Sequence, residues 1–378
     1  MMLVRFYENA FTYLRRTFQF VMIPSLSIGT HHSSQAIIQG GMGVGISLHR
    51  LFSAVANEGG IGVISAAGLG LIYRKLSKDY LEASKLGLQK EIRLSRERTS
   101  GILGVNIMVA MTNFSDMVRC AIEQKVDILF AGAGLPLDLP SYKPAESDTA
   151  LVPIVSSARA AKLIIEKWKQ NYNYLPDAIV VEGPKAGGHL GFRTSQIEDA
   201  RFQLESLIPE VVAEVHFYEQ LYDQKIPVIA AGGIYNGRDI RQYFQLGASG
   251  VQLGTLFVTT HECDAAVDFK MTYIHSKQED IQLIESPVGM PGRAIRNSFL
   301  ESVERGEKKP IQCPVKCIKT CDVEKAPYCI IAALMNSYKG NMNSGYAFAG
   351  ANAYRATELI SVADVFKRLN SEYDLSVI

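Results

Sequence analysis

One histidine in this chain stands where a reactive base would be presented. Residues 176–192 read Pro-Asp-Ala-Ile-Val-Val-Glu-Gly-Pro-Lys-Ala-Gly-Gly-His-Leu-Gly-Phe. The apolar run from Ala178 to Val181 has the character of a strand buried on both faces. It breaks at Gly183-Pro184 and delivers Lys185, Gly187, Gly188 and His189 onto a loop. Imidazole is the side chain whose ordinary titration falls near neutral pH, so at such a place it can take or return a proton. An isolated histidine is more often structural, but a glycine-rich loop at a strand end favours the chemical reading.

Two further constellations carry chemistry. The run Leu103-Gly104-Val105-Asn106-Ile107-Met108-Val109 sets one amide inside an apolar strand. A buried amide needs partners, either neighbouring backbone or the polar edge of a heteroaromatic ligand. Glycine clusters fall at Gly40-Gly41-Met42-Gly43, Gly132-Ala133-Gly134, Gly187-Gly188, Gly232-Gly233 and Gly254-Thr255, each at or just beyond the end of a strand-like run. Any one of them is explained by a tight turn, but five on one face suggest backbone amides brought close to a ligand. The last two, Ala230-Ala231-Gly232-Gly233-Ile234 and Gln252-Leu253-Gly254-Thr255, would close a phosphate site if they end neighbouring strands of a barrel.

These residues need a scaffold that brings strand ends together. Strand-like runs occur at 36–39, 61–66, 103–109, 127–131, 151–156, 177–182, 227–231 and 250–253, with helix candidates at 48–58, 72–98, 113–124, 158–168, 198–222 and 237–246. Alternation of this kind argues for a parallel sheet. Eight units over this length fit an α/β fold of the closed (β/α)₈, or TIM, barrel type, with the glycine clusters on its functional face. An open doubly wound sheet is the alternative, and no G-x-G-x-x-G fingerprint opens the chain in its favour.

The chain has 378 residues and a formal charge of +1, with a normal hydrophobic share of 47%. Near neutrality of charge gives no reason to expect nucleic acid or an anionic membrane as partner. No apolar run approaches the length of a transmembrane helix. Residues 1–24 read as an extension of doubtful status, broken by Arg5, Glu8, Asn9, Arg15 and Arg16, with Met22 as an alternative start. Lacking a signal-peptide core, the chain is expected to be cytoplasmic. Residues 25–300 are expected to form the barrel, and 301–378 a helical extension packed on it.

The motifs together resemble the nitronate monooxygenase family, formerly called 2-nitropropane dioxygenases. They are Gln39-Gly40-Gly41-Met42-Gly43, Gly104-Val105-Asn106-Ile107, Ala186-Gly187-Gly188-His189-Leu190-Gly191, Ala230-Ala231-Gly232-Gly233-Ile234 and Gln252-Leu253-Gly254-Thr255. They run in order from about Ile37 to Asn297, the whole barrel. The FMN-dependent enoyl-acyl carrier protein reductases are related and share them. The resemblance implies non-covalent FMN, with His189 as the catalytic histidine. Gly41, Met42 and Asn106 would face the flavin, Glu182 and Gly187 would lie along it, and Gly233, Gln252, Gly254 and Thr255 would hold the phosphate end.

The expected reaction is oxidation of alkyl nitronates by O₂ to carbonyl compounds and nitrite. The alternatives are reduction of an enoyl thioester by NAD(P)H and a non-catalytic flavin- or phosphate-binding protein. The partners implied are a small-molecule substrate and O₂, with NAD(P)H or an acyl thioester under the second reading; an oligomer is compatible with the sequence. Glu182 stands where the monooxygenases commonly carry Gln and the reductases Glu, and Lys185 where both often carry an acidic residue.

Beyond the barrel, residues 286–293 read as a cover over its mouth, with Arg293 as an anchor for barrel or substrate. Gly350-Ala351-Asn352-Ala353-Tyr354-Arg355 could reach back to the flavin or serve an interface. Four of the six cysteines, Cys313, Cys317, Cys321 and Cys329, fall close together. The first three would share a helix face were Pro314 not there to disturb it. Thiolates so clustered could hold zinc or an iron–sulfur cluster, but their spacing matches neither zinc C-x-x-C pairs nor ferredoxin runs, so reduced cysteines packing a small subdomain are the expectation and a metal at these four the alternative.

Overall fold

The computed structural model describes residues 22–307 and 312–375; most of the expected N-terminal extension lies outside them. Eight parallel strands form the core: β1 (Ile37–Gln39), β2 (Gly62–Ser65), β3 (Leu103–Met108), β4 (Ile128–Gly132), β5 (Ala150–Val155), β6 (Ile179–Glu182), β7 (Val228–Ala231) and β8 (Gly250–Leu253). Their order in the sheet is β1-β8-β7-β6-β5-β4-β3-β2. A parallel bridge between Ile38 and Ile61 joins the two ends and closes the ring. This is the (β/α)₈ barrel, and the open sheet is excluded. The strands are apolar and buried along nearly their whole length, β4 and β7 at every residue, because neighbours cover both of their faces.

Helices α1 (His49–Asn57), α2 (Tyr80–Arg96), α3 (Phe114–Glu123), α4 (Ala158–Tyr172), α5 (Leu204–Tyr222) and α6 (Gly237–Gln245) pack outside the strands. Local signals start several of them. Ser157 accepts from the Ala160 amide to open α4, and Asn236 and Asp239 form a reciprocal capping box on α6. The helix expected over 72–98 is two pieces, a single turn at Leu69–Ile72 and then α2. Asp79 causes the division, since its carboxylate accepts from the Glu82 amide at 2.8 Å and starts a new helix there. The helix expected from 198 begins at Leu204, after two short 3₁₀ turns.

The antiparallel pair Leu26–Ile28 and His31–Ser33 covers the bottom of the barrel. A Cβ on Gly250, at the start of β8, would meet the Leu26 side chain, and one on Gly29 would meet Asp177 and Ala150. At the opposite end the chain builds a lobe over the mouth. It contains α7 (Val267–His275), a small antiparallel sheet, α8 (Ser298–Glu304) and α9 (Ile330–Tyr338). The sheet pairs Ile281–Glu285 with Pro291–Ile295, and Pro291–Ile295 with Gly188–His189. The loop after β6 is thus also the third strand of the lobe. The last helix, α10 (Val362–Leu375), buries Val365, Phe366 and Leu369 in the barrel's own core. None of the described helices is long and apolar enough to cross a membrane.

Candidate active site

A cavity of about 780 Å³ opens among the C-terminal strand ends and runs beneath the lobe. Gly41, Met42, Asn106, Glu182, Gly187, His189, Gly233, Gln252, Gly254 and Thr255 all line it. Residues that lie more than 200 positions apart in the chain are brought together because every β-strand delivers its following loop to the same rim.

The glycines are there because backbone passes where side chains would otherwise stand. A Cβ on Gly41 would come within 2.3 Å of the Asn106 Cβ. One on Gly187 would lie 2.6 Å from backbone atoms of Ala349 and Gly350. Gly232 and Gly233 have φ of +97° and +88°, in the left-handed region that side chains disfavour. Asn106 is half-buried, less enclosed than its apolar strand suggests. Its amide makes no hydrogen bond to protein among the described residues and borders the cavity. Of the two partners considered for it, neighbouring backbone is not the one it has.

His189 is held from the lobe side. Its Nε2 lies 2.7 Å from the Ser286 Oγ, and its ring sits edge-on to Phe348 with centroids 5.0 Å apart. Nδ1 has no protein hydrogen bond among the described residues. Enclosure pushes the imidazole down to about 4, so it is neutral at pH 7 rather than titrating there. The same cause acts oppositely on Glu182, whose enclosed carboxyl is pushed up to about 7. Lys185 borders the cavity too, with its ammonium 3.7 Å from Glu205.

Arg293 resolves toward the barrel. It is buried, and its guanidinium donates to the carbonyls of Pro184 and Ala186, tying the small sheet to the β6 loop. The stretch after Tyr346 reaches back to the barrel. The Gly350 amide donates to Thr255 Oγ1 at 3.1 Å, Ala351 to the Lys185 carbonyl at 3.0 Å, and Asn352 Nδ2 to the Gly233 carbonyl. Ser286 and Gly350 lie in the two segments that sequence reasoning brings over the mouth or back to the flavin, though not as named site residues, and Phe348 escapes it. The glycine at 350 and the turn composition around 286 are the hints to the first two.

The four clustered cysteines are free thiols. No helix carries them, because residues 312–329 contain turns and one isolated bridge, between Met111 and Ile318. Among the described residues no group of three or more His, Cys, Asp or Glu side chains is set, as it stands, to hold a metal ion.

Comparison with known proteins agrees with this geometry. The model of the family described as nitronate monooxygenase matches residues 25–372. A probable nitronate monooxygenase of Staphylococcus aureus (strain Newman) is 30% identical over 321 residues, covering 77% of this chain and 83% of the relative. That of strain MSSA476 is 27% identical over 326 residues, with the same coverage. Among solved structures, FabK from Thermotoga maritima superposes with a TM-score of 0.71 at 26% identity, covering 91% of this chain and 94% of that one. Nitroalkane oxidase from Streptomyces ansochromogenes shares the fold, with a TM-score of 0.67 at 20% identity over 91% and 97% of the two chains. The chain belongs to the nitronate monooxygenase family and is a flavin-dependent oxidoreductase.

Proposed function

We propose that this protein oxidises alkyl nitronates with O₂ to carbonyl compounds and nitrite, with FMN bound in the barrel mouth. The residues present suit that cofactor. The cavity falls within the roughly 300–1,000 Å³ typical of ligand sites. It has an unpartnered amide at Asn106 for a flavin's polar edge, and glycine backbone at 232–233 and 254 with Thr255 for a phosphate. Met42, Gly41, Glu182, Gly187 and Gln252 complete the wall.

FMN when bound supplies the acceptance of electrons from the substrate and their passage to oxygen. The protein's contribution is positional and protonic. Ser286 fixes the rotation of His189 through Nε2, leaving Nδ1 as the nitrogen for a substrate proton. A neutral imidazole with Nε2–H donated to Ser286 can accept a proton at Nδ1 from the carbon beside a nitro group. The depressed basicity of His189 makes that step unfavourable for a neutral nitroalkane and unnecessary for a nitronate. The lobe segments carrying Ser286 and Phe348 lie over the histidine and limit its contact with water. The single observation that carries the reading is that neutral histidine, set in the same cavity as Asn106 and the glycine rim.

Glu182 favours a second reading, reduction of an enoyl thioester with NAD(P)H, because the reductases resembled by the motifs carry Glu at this point. The two are separated by anaerobic mixing of the FMN-loaded protein with propionate 3-nitronate and, separately, with NADH. Bleaching of the flavin by nitronate and not by NADH is expected. Bleaching by NADH alone would replace the first reading with the second.

A further inference from the structure

The cysteine cluster lies outside the chemistry described so far. Cys313, Cys317, Cys321 and Cys329 line one small cavity together with Lys316, Val323, Ala326, Tyr328 and Ile330. Among the described residues no imidazole or carboxylate borders it, so the usual metal-ligating side chains there are the four thiols. We propose that these four cysteines form a binding site for a single thiophilic metal ion of the Zn²⁺ class.

The segment's construction supports this. Residues 312–329 have no helix or strand of their own, yet hydrogen bonds tie them to the loop that follows β3. Thr112 bonds the carbonyls of Cys317 and Lys316, and Lys319 bonds those of Ala110 and Val109. Cys329 ends the segment as the residue preceding α9. Short irregular segments with little core of their own are ordinarily stapled by disulfides or a metal, and these thiols are unlinked. Cys317, Cys321 and Cys329 are each only partly exposed, and metal binding would draw such thiols into coordination with loss of their protons.

The space between the thiols is small, about 20 Å³, room for one water-sized occupant and so suited to a single ion. Tetrahedral zinc needs sulfurs about 2.3 Å from the metal. The four thiols share the lining of the space but are not set, as they stand, to hold an ion, so binding requires rotation about their Cα–Cβ bonds in a segment free of helix and strand. Cys317 lines both this cavity and the large one, as does Ile330, and Ile318 between them lines the large one. A bound ion therefore fixes one wall of the active-site cavity from behind.

The test uses the full chain, purified with a thiol-free reductant and without chelator, and measures metal content and thiol accessibility. About one zinc per chain is expected, with Cys321→Ser and Cys329→Ser lowering it about tenfold or more and Cys120→Ala leaving it unchanged. Where a serine variant does not fold, native-state alkylation of the wild-type protein decides. Cys313, Cys317, Cys321 and Cys329 should resist alkylation until a chelator is added, then react together as zinc is released. Free alkylation without metal, a disulfide among the four, or iron with acid-labile sulfide would each overturn the single-ion site.

Discussion

Glu182 offers the sharpest quantitative test of the site. Its carboxyl is enclosed without a hydrogen-bonding partner among the described residues, and burial lifts it from an ordinary 4.5 to about 7. Below pH 4.5 the group is protonated in folded and unfolded chains alike and has no effect on stability. Between 4.5 and about 7 the unfolded chain releases the proton while the folded one keeps it, so stability falls as pH rises. The loss is complete about a unit above 7, and because the side chain is partly exposed at the cavity, the rise from 4.5 to about 7 corresponds to at most about 3 kcal/mol. Glu182→Gln keeps the size and removes the titration. Urea unfolding of the cofactor-free wild-type and variant proteins, from pH 4.5 to 8.5, should show the variant's relative stability increasing by about 1–3 kcal/mol. Parallel curves across that range would mean that the carboxyl is either solvated or paired, and the enclosure argument would fail.

Three other expectations concern the same cavity. His189→Ala should lower turnover of a neutral nitroalkane by about 10²-fold, the low end for a general base because its basicity is depressed, while changing turnover of the pre-formed nitronate far less; steady-state kinetics with both substrates checks the split, and equal losses would count against a base. Gly187→Ala places a methyl 2.6 Å from the backbone of Ala349 and Gly350, so the crossing segment must shift and FMN affinity, read by flavin fluorescence, should weaken at least about tenfold. Arg293→Met leaves the Pro184 and Ala186 carbonyls without their guanidinium, at a cost of about 2–3 kcal/mol in unfolding free energy. Unchanged stability in that variant would show the anchor to be dispensable.

The barrel was legible because its signals are local. Apolar runs such as Ile179 to Val181, each ending in glycine, mark a strand and its exit without reference to the rest of the chain. Asp79 with Glu82 three residues on was an equally local signal, and it accounts for the divided helix. What stayed illegible was pairing at a distance. Nothing around Ser286 announces that its hydroxyl will meet a histidine 97 positions earlier. Nor does the composition near Phe348 say that its ring will lie against that histidine. Register across Pro291–Ile295 and Gly188–His189 produces both contacts, and register is a property of the folded sheet. The depressed basicity of His189 was hidden for the same reason, since the lobe that encloses it comes from elsewhere in the sequence.

The crossing of Phe348 to Asn352 over the loops of β6, β7 and β8 has a consequence for the order in which the molecule is made. The eight strands are complete when Leu253 has left the ribosome, and they can begin to close with their mouth open. The bonds from Gly350 to Thr255, from Ala351 to Lys185 and from Asn352 to Gly233 await about a hundred further residues. Until then a cofactor would meet an uncovered rim. Closure of the rim thereby waits for residues 348–352, which act as a clasp laid over strands made long before them.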